Sequence, residues 1–351
     1  MVTSPLRFGA EDRVLVVLPH PDDESLAAAG LLQHVLAAGA KLRLVFVTDG
    51  DNNPWAQRAT ERRLLVLARH RHRFGALRRT EVQAALAALG VPAEAASFLA
   101  LPDQGLTSLL MAADSHLSGA LRQAIVAFRP TVLLGPSRHD RHPDHSALAA
   151  TLDLVLGTIE GSLPRHLRFF IHNPARLHEP EHGAAIALDP AQLARKLAAI
   201  GCHRSQQFWR GGWLRSFAGP EERFLDQEPE ALDKAHPVAG ARLWADGAEI
   251  RLTFATHWRS FGPRTLLLAG QTPAGGPVRL SIALGFHLGA IPVRSAFCEG
   301  ALGHARLVGN SRHGVLHLGG GLLPVGARLL AKVEHNFGFF DEAGWKLISA
   351  P

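Results

Sequence analysis

The sequence predicts an α/β fold, a parallel sheet with helices on both faces, followed by a C-terminal all-β domain that is sandwich-like. Three observations lead to this prediction. Short apolar runs alternate with longer alanine- and leucine-rich segments as far as about residue 226, which is typical of strand–helix–strand units. Beyond residue 240 the apolar runs are short and separated by glycine and proline, as in antiparallel domains. The chain has 351 residues, 47% of them hydrophobic, which is enough for two cores.

The elements of the first part can be placed one after another. Residues 13–18, RVLVVL, are continuous and β-branched, which indicates a buried strand. The helix that follows is rich in alanine and leucine and is expected to end near Gly39. The next elements are a strand at 41–50 that closes in a turn, a helix at 78–91 with Gly90 as its stop, a strand and loop at 96–105, a helix that ends before Pro130, a strand at 131–136 and a helix at 144–159.

A polar, proline-bearing stretch, DQEPEALDKAHPVAG, is the predicted linker between two domains at residues 1–235 and 240–351. The second is expected to be a β-rich accessory domain of unknown role, whose removal leaves the first intact. Its strands are predicted from five runs, AEIRLTFATHW, RTLLLAGQ, PVRLSIALGF, GVLHLGGG and ARLLAKVEHNF.

Charge and cysteine content narrow the class of protein. The chain carries 37 Lys+Arg against 31 Asp+Glu, a net charge of +6. No nucleic-acid recognition motif accompanies these charges, so no nucleic-acid partner is expected. Cys202 and Cys298 are too few for a disulfide framework. The first residues lack the pattern of a signal peptide, and no apolar run reaches the ~20 residues of a membrane span. We therefore expect a cytoplasmic protein without a transmembrane segment, and the sequence leaves its oligomeric state open.

The segment 58–79 is strongly basic, with eight arginines and one glutamate, Glu61. It predicts either a solvated helix face or lid, or a surface that faces an anion. In the second interpretation Arg62, Arg69 and Arg73 hold a diphosphate or an acidic lipid head group, because a planar guanidinium donates two parallel hydrogen bonds. The substrate would then be phosphate-bearing or lipid-linked.

Two clusters of histidines and acids each follow a predicted strand. The first lies in VLVVLPHPDDES, where His20 and the acids at 22–24 end the apolar run, and the second is GPSRHDRHPDH at 135–145. Adjacent acids lose hydration when buried, so a bound cation is expected to compensate them. Because the carboxyl ends of parallel strands meet at one edge of a sheet, both clusters should face one crevice. Two histidines and one carboxylate, with a position left for water, are the ligands of a catalytic zinc.

The motif PHPDDE, followed far downstream by HPDH, resembles the LmbE/PIG-L family of zinc-dependent N-acetylglucosaminyl deacetylases. The resemblance covers roughly residues 12–210. It implies a Rossmann-like fold and one divalent metal ion, Zn²⁺ or another such as Fe²⁺. It also implies hydrolysis of the N-acetyl group of an amino-sugar conjugate, which releases acetate and a free amine.

The resemblance assigns roles to individual residues. The metal ligands would be His20, Asp23 and His145. Asp22 would be the general base, and His142 would stabilise the oxyanion or protonate the leaving amine. Asp144 would orient a histidine. The metal would polarise the acetyl carbonyl and lower the pKa of its water towards ~7.

Three shorter segments also resemble the family. RRTEV resembles a helix whose arginine grips sugar hydroxyls, which here is Arg78, with Arg79 as the alternative. LPDQGL resembles a loop with an acidic residue for sugar hydroxyls, Asp103, and GCHRSQ at 201–206 resembles a late segment. One departure concerns Asp140, because some relatives carry tyrosine there and this chain has no tyrosine.

Two other functions compete with deacetylation of an amino sugar. One is a zinc amidase that acts on another N-acyl substrate, because substrate choice depends on loops that the motifs do not fix. The other is a non-catalytic sugar-conjugate binding protein. A dinucleotide-binding version of it is disfavoured, since the first strand–helix turn lacks G-x-G-x-x-G. The motifs leave the exact substrate and the metal open.

Overall fold

The structure, a computed structural model, describes residues 4–62, 65–172, 183–244, 247–253, 264–284, 289–309, 313–324, 326–335 and 339–348. It divides into two compact units. The first consists of Met1–Leu106, Ala120–Ser137 and Glu160–Gln227, and the second of Thr107–Gly119, Arg138–Ile159 and Glu228–Pro351. The domain boundary between 1–235 and 240–351 remains a prediction.

The elements up to residue 227 alternate between strand and helix, with a short 3₁₀ helix at Ala93–Ala95. In chain order they are β1 (Ser4–Pro5), β2 (Arg13–Leu18), α1 (Asp23–Ala27), α2 (Ala29–Ala37), β3 (Lys41–Thr48), α3 (Pro54–Glu61), α4 (Ala68–Ala88), β4 (Ala96–Leu101), α5 (Leu106–Met111), α6 (Ser115–Phe128), β5 (Val132–Pro136), α7 (Pro143–Leu156), β6 (Arg165–Phe169), β7 (Gly183–Ala187), α8 (Pro190–Cys202), α9 (Arg204–Arg215) and β8 (Glu221–Leu225). Among the described helices, none has the length and apolar character needed to cross a bilayer.

Strands β1 to β8 form one sheet in the order β1-β7-β8-β6-β5-β2-β3-β4. β2 runs parallel to both of its neighbours, with Val16 opposite Leu44 of β3 and Leu134 of β5. Only β8 runs antiparallel to its described neighbours, β6 and β7. The predicted α/β class, a mainly parallel sheet flanked by helices, is confirmed.

β2 is buried on both of its faces. Every residue from Val14 to Leu18 is buried, and Val14, Val16 and Leu18 belong to one hydrophobic core. Because successive side chains of a strand point to opposite faces, the burial of Leu15 and Val17 requires cover on the other face as well. The polar residues that follow Leu18 therefore extend from a rigid, central strand.

The predicted helices are confirmed with changes in their bounds. The helix expected to end near Gly39 consists of α1 and α2, which are separated at Ala28, and Gly39 has a positive φ of 68° where the chain turns into β3. The helix predicted at 78–91 is the second half of the longer α4, so much of the arginine-rich segment is helical too.

The second unit contains an antiparallel sheet. Its elements from residue 228 onward are α10 (Glu230–Lys234), β9 (Val238–Trp244), β10 (Gly247–Thr253), β11 (Arg264–Gln271), β12 (Pro277–Leu284), β13 (Ala290–Ser295), β14 (Ala301–Gly309), β15 (His313–Gly319), β16 (Arg328–His335) and β17 (Lys346–Leu347). The order β17-β16-β11-β12-β13-β14-β15-β10-β9 makes one continuous nine-stranded sheet. The predicted all-β character is confirmed. The ends of three predicted runs, at 254–258, 285–286 and 336–337, lie outside the described residues.

The alternation of apolar residues explains this sheet. In β11, Leu266 and Leu268 are fully buried and belong to the core of the second unit, together with Leu280 and Ile282 of β12. One side-chain row of each strand thus faces a shared apolar core, as the period of two predicts.

His236, just before β9, is buried in its neutral form. Its Nδ1 accepts the N–H of Val238 at 3.0 Å, and its Nε2 lies 3.0 Å from the carbonyl oxygen of Gly344, to which it donates. A second proton on Nδ1 would break the bond with Val238. Burial lowers the pKa of His236 to about 4, and the charges of His139 and Lys346 act in the same direction.

Acid is therefore expected to destabilise this region through His236. Between pH 6.5 and about 4 the unfolded chain binds a proton there and the folded chain does not, so the free energy of unfolding falls as the pH is lowered. The loss should reach about 3 kcal/mol, since one pKa unit corresponds to ~1.4 kcal/mol. Urea denaturation across this pH range measures the free energy of unfolding. That free energy should depend less on pH in His236→Asn than in His317→Asn, which changes an exposed histidine and is the control. Equal pH dependence in both variants would contradict this expectation.

Candidate functional site

The turn between β2 and α1 brings two predicted metal ligands together within the first unit. The backbone N–H of His20 donates to Asp23 Oδ2 at 2.9 Å, and the ring Nδ1 of His20 lies 3.7 Å from the same oxygen. Both residues are buried, with 6% of His20 and 1% of Asp23 exposed. Because β2 is rigid and α1 begins at Asp23, this turn presents the two side chains in a fixed arrangement.

Asp22, the predicted general base, has an unusual backbone conformation. Its φ is 129° and its ψ is −26°, a region that costs a non-glycine residue of the order of 1–3 kcal/mol. Its Oδ2 lies 3.1 Å from Nη2 of Arg78. The same guanidinium donates to the carbonyl oxygens of Pro21 and, at 2.9 Å, Gly50. Arg78 therefore fixes both the turn and the carboxylate of Asp22.

The position of Arg78 depends on a glycine. Gly50 has a φ of 60°, and a Cβ on it would lie 1.8 Å from Nη1 of Arg78. Arg78 is 4% exposed, so its guanidinium binds protein groups, and its predicted contact with sugar hydroxyls remains a prediction. Arg79, the alternative, forms a two-point ion pair with Asp49 at 2.6 and 2.8 Å.

Asp103, in the loop after β4, contacts His20 as well. Its Oδ1 lies 3.2 Å from Nε2 of His20, and its Oδ2 accepts the N–H of Asn52 at 2.7 Å. Burial raises the pKa of Asp103, but the hydrogen bond and charge of His20 and the charge of Arg78 outweigh burial and hold the pKa below its ordinary value. The imidazole of His20 is thus held by two carboxylates, and the predicted contact of Asp103 with sugar hydroxyls remains a prediction.

Glu24 forms a buried pair with His203, and neither residue was among the predicted site residues. Glu24 Oε1 lies 2.8 Å from Nε2 of His203 and accepts the Ser25 hydroxyl at 2.6 Å, and its Oε2 accepts the N–H of Asp22 at 3.0 Å. Burial raises the pKa of Glu24 and lowers that of His203, yet their mutual attraction reverses both effects, so the pKa of Glu24 is lowered and that of His203 is raised. The carboxylate of Glu24 and the imidazolium of His203 therefore form a buried ion pair. The segment GCHRSQ was its only sequence signal.

Removal of His203 is expected to destabilise the first unit. In His203→Ala the buried carboxylate of Glu24 loses its cation, which should lower the free energy of unfolding by about 3 kcal/mol. Urea denaturation measures the change. His116→Ala is the control, because the His116 side chain is 82% exposed. The double variant His203→Ala/Glu24→Gln should regain part of the loss, and a double variant no more stable than His203→Ala would rule out the charge explanation.

The second cluster follows β5 and belongs to the second unit. α7 begins at Pro143 with His142 as its N-cap, and His142 Nδ1 accepts the N–H of Asp144 at 3.2 Å. In the neutral ring this assigns the proton to Nε2. The rings of His142 and His145 lie 5.0 Å apart.

Asp140 contacts both histidines of this cluster. Its Oδ1 accepts the N–H of His142 at 2.9 Å, and its Oδ2 lies 3.4 Å from Nδ1 of His145. Asp140 and His145 are fully buried, so the carboxylate orients His145. The predicted orienting role of Asp144 remains a prediction. Among the described residues are groups of histidines and acids that could hold a metal ion.

Part of the arginine-rich segment is engaged in ion pairs. Arg73 donates to both oxygens of Glu61, at 3.0 and 2.6 Å. Arg62, which ends α3 in the left-handed conformation, and Arg69 of α4 are exposed. All three arginines considered for anion binding are therefore exposed, and Arg73 is also paired with a carboxylate.

Residues 15–155 match the family model described as PIG-L, GlcNAc-PI de-N-acetylase. A protein named 1D-myo-inositol 2-acetamido-2-deoxy-alpha-D-glucopyranoside deacetylase, from Nakamurella multipartita, is 30% identical over 207 residues, which are 54% of this chain and 69% of that protein. This chain belongs to the PIG-L family. The predicted family is confirmed, and the match includes both histidine–acid clusters. Strands β9 to β17 lie beyond the residues matched by the PIG-L model.

Two further comparisons found similar proteins. A protein of the same name from Mycobacterium sp. (strain KMS) is 34% identical over 163 residues, which are 41% of this chain and 50% of that protein. The chain thus spans about half the length of this curated relative. A solved structure of N,N'-diacetylchitobiose deacetylase from Pyrococcus horikoshii is similar, with a TM-score of 0.44 at 20% identity over 60% of this chain and 82% of that one.

Proposed function

We propose that this protein is a metal-dependent N-deacetylase that hydrolyses the N-acetyl group of an amino-sugar conjugate and releases acetate and a free amine. The observation that carries the proposal is the parallel pairing of β2 with β5. The chain leaves both strands at the same edge of the sheet, and each strand leads directly into one of the two histidine–acid clusters. The names of the related proteins, which are 2-acetamido sugar deacetylases, support the same chemistry.

His20, Asp23 and His145 would hold the metal ion, Zn²⁺ or another divalent ion such as Fe²⁺. The donor set fits such an ion, because two imidazoles and a carboxylate are the usual protein ligands of catalytic zinc and related metals. All three side chains are buried, which favours a dedicated role over a solvated one. When bound, the ion supplies Lewis acidity and makes water acidic enough to be deprotonated near neutral pH.

The remaining residues would move protons and bind charge. Asp22, held by Arg78, would accept a proton from the attacking water and return it to the amine nitrogen as the C–N bond breaks. His142 would donate from Nε2 to the developing oxyanion or to the leaving amine, because its Nδ1 already accepts the backbone N–H of Asp144. Asp144 would orient a histidine, and Arg78 and Asp103 would approach sugar hydroxyls.

The substrate is proposed to be an N-acetylated sugar conjugate that carries a phosphate or a lipid-linked anionic group. The support is the exposure of Arg62, Arg69 and Arg73, of which Arg73 is paired with Glu61. Arginine binds phosphate through two parallel hydrogen bonds. Salt screens the attraction between an exposed guanidinium and an anion. KM for an anionic substrate should therefore rise with ionic strength, whereas kcat for a neutral N-acetyl sugar should not change.

Acetate release from a panel of N-acetylated sugar conjugates, neutral and phosphorylated, by metal-replete protein tests the proposal. The expected result is acetate release that disappears when a chelator removes the metal. Release of a longer carboxylic acid from other N-acyl compounds, without acetate, would instead identify an amidase for another substrate. Saturable binding of the sugar conjugates without any hydrolysis would identify a non-catalytic binding protein. Equal KM for neutral and phosphorylated sugars at low salt would remove the anionic group from the proposal.

A further inference from the structure

Phe339 and Phe340 form a pair of exposed rings beside His142, within the second unit. We call this pair the aromatic corner. The two ring centroids lie 4.9 Å apart, and the ring planes are at 85° to each other. The ring of His142 lies 4.9 Å from Phe339 and 6.1 Å from Phe340. The phenylalanines are 44% and 38% exposed, so apolar surface is open to solvent next to the proposed catalytic histidine.

Backbone hydrogen bonds fix the segment that carries the aromatic corner. The N–H of Asp341 donates to the carbonyl oxygen of Arg141 at 2.9 Å, and Nε of Arg141 donates back to the carbonyl oxygen of Asp341 at 2.9 Å. The N–H of Trp345 donates to the carbonyl oxygen of Arg138 at 2.8 Å. Residues 339–345 therefore run along the loop that leads to His142.

Two further contacts show that this arrangement is specific. Gly344 approaches Arg138 so closely that a Cβ on Gly344 would lie 1.7 Å from the Arg138 carbonyl oxygen. On the other side, the carboxylate of Asp341 lies 2.7 Å from Nζ of Lys332, a fully buried residue of β16. The antiparallel sheet thus holds the segment, and the segment holds the aromatic corner against His142.

We propose that the aromatic corner is a substrate-contact surface, supplied by the C-terminal sheet, that binds an aliphatic aglycone attached to the amino sugar at the carbon next to the one that bears the scissile amide. The inference rests on the proposed function, in which His142 acts on that amide. Because the two rings are nearly perpendicular, a flat sugar face can cover only one of them. An aliphatic chain lying in the corner contacts both rings and removes their surface from water.

This inference gives the accessory domain a role in substrate selection. The aromatic corner lies beyond the residues that match the family model, so it adds specificity that the shared motifs do not carry. A chain that ends near residue 235 lacks the aromatic corner and the hydrogen bonds to Arg138 and Arg141.

The test compares three substrates: the methyl and hexyl glycosides of N-acetylglucosamine, and the N-hexanoyl form of the methyl glycoside. Wild-type protein should prefer the hexyl glycoside to the methyl glycoside by about tenfold in kcat/KM, from the burial of about two methylene groups. Phe339→Ala and Phe340→Ala should reduce this preference to about twofold, mainly through KM. Phe339→Leu should retain most of it. Phe297→Ala, which removes another exposed ring of the second unit, should leave it unchanged.

The outcomes separate this inference from the proposed function. A preference for the hexyl glycoside supports the inference. A preference for the N-hexanoyl form alone overturns it, because the aliphatic group would then belong to the acyl chain. Acetate release with no hexyl preference, or with a preference that survives in both alanine variants, overturns the inference and leaves the function standing. If no substrate is hydrolysed, the proposed function fails. Calorimetry of hexyl glycoside binding then decides the inference. Binding by Phe339→Ala that is about tenfold weaker than wild-type binding supports the inference, and equal binding overturns it.

Discussion

Replacement of His20, Asp23 or His145 by alanine is expected to abolish tight metal binding and, with it, acetate release. Three protein ligands are the minimum for a catalytic zinc site, so the loss of one leaves too few donors to retain the ion through dialysis. Elemental analysis should find about one divalent ion per chain in the wild-type protein and a small fraction of that in each variant.

A matched control separates ligand loss from general damage. His116→Ala removes a histidine whose side chain is 82% exposed, and it should keep full metal content. Near-ultraviolet circular dichroism should show that the ligand variants remain folded, because the cores of both units do not include these residues. Full metal occupancy in all three ligand variants would refute the ligand assignment, and acetate release by metal-free protein would refute the mechanism.

The sequence predicted those parts of the fold that depend on local patterns. The run from Val14 to Leu18 is apolar at every position, as expected of a short strand buried on both faces, and the structure has that strand. Gly39 marked the end of a helix because its positive φ is costly for other residues. The division of the chain into compact units was not predictable in this way, because residues 138–159 join the second unit through contacts with distant residues such as Glu228.

The candidate site was predictable only where its residues are neighbours in sequence. His20 and Asp23 share one turn, so a motif identifies both. The pair of Glu24 and His203 joins positions far apart in the chain, and no periodicity relates them. Asp140 was noted as a departure from the family, and its contacts with His142 and His145 needed coordinates.

The aromatic corner was missed for a related reason. Nothing in the sequence around Phe339 and Phe340 indicates a site, since two phenylalanines after a strand are usually core residues. Their exposure and their approach to His142 follow from hydrogen bonds between two segments separated by about 200 positions along the chain. Functions carried by such long-range contacts are the ones that motif comparison leaves out.

Asp22→Asn is expected to keep the metal ion and lose most of the turnover. Asparagine fills the same space and tolerates a positive φ as aspartate does, so the strained turn at φ 129° should persist. The amide cannot accept the proton of the attacking water, and kcat should therefore fall by roughly 10²–10⁴-fold, with KM little changed. Asp22→Ala is a poorer test, because alanine disfavours this backbone conformation and would confuse loss of the base with loss of the turn.

Acetate release and metal content measured on the same preparation decide the role of Asp22. Asp226→Asn, in which a partly exposed aspartate paired with Arg165 is changed in the same way, is the matched control and should retain wild-type kcat. Near-normal kcat of Asp22→Asn with the metal bound would assign Asp22 a structural role, in which its ion pair with Arg78 only holds the turn. A loss of both metal and turnover would instead place Asp22 among the ligands, because a base that does not touch the ion has no reason to retain it.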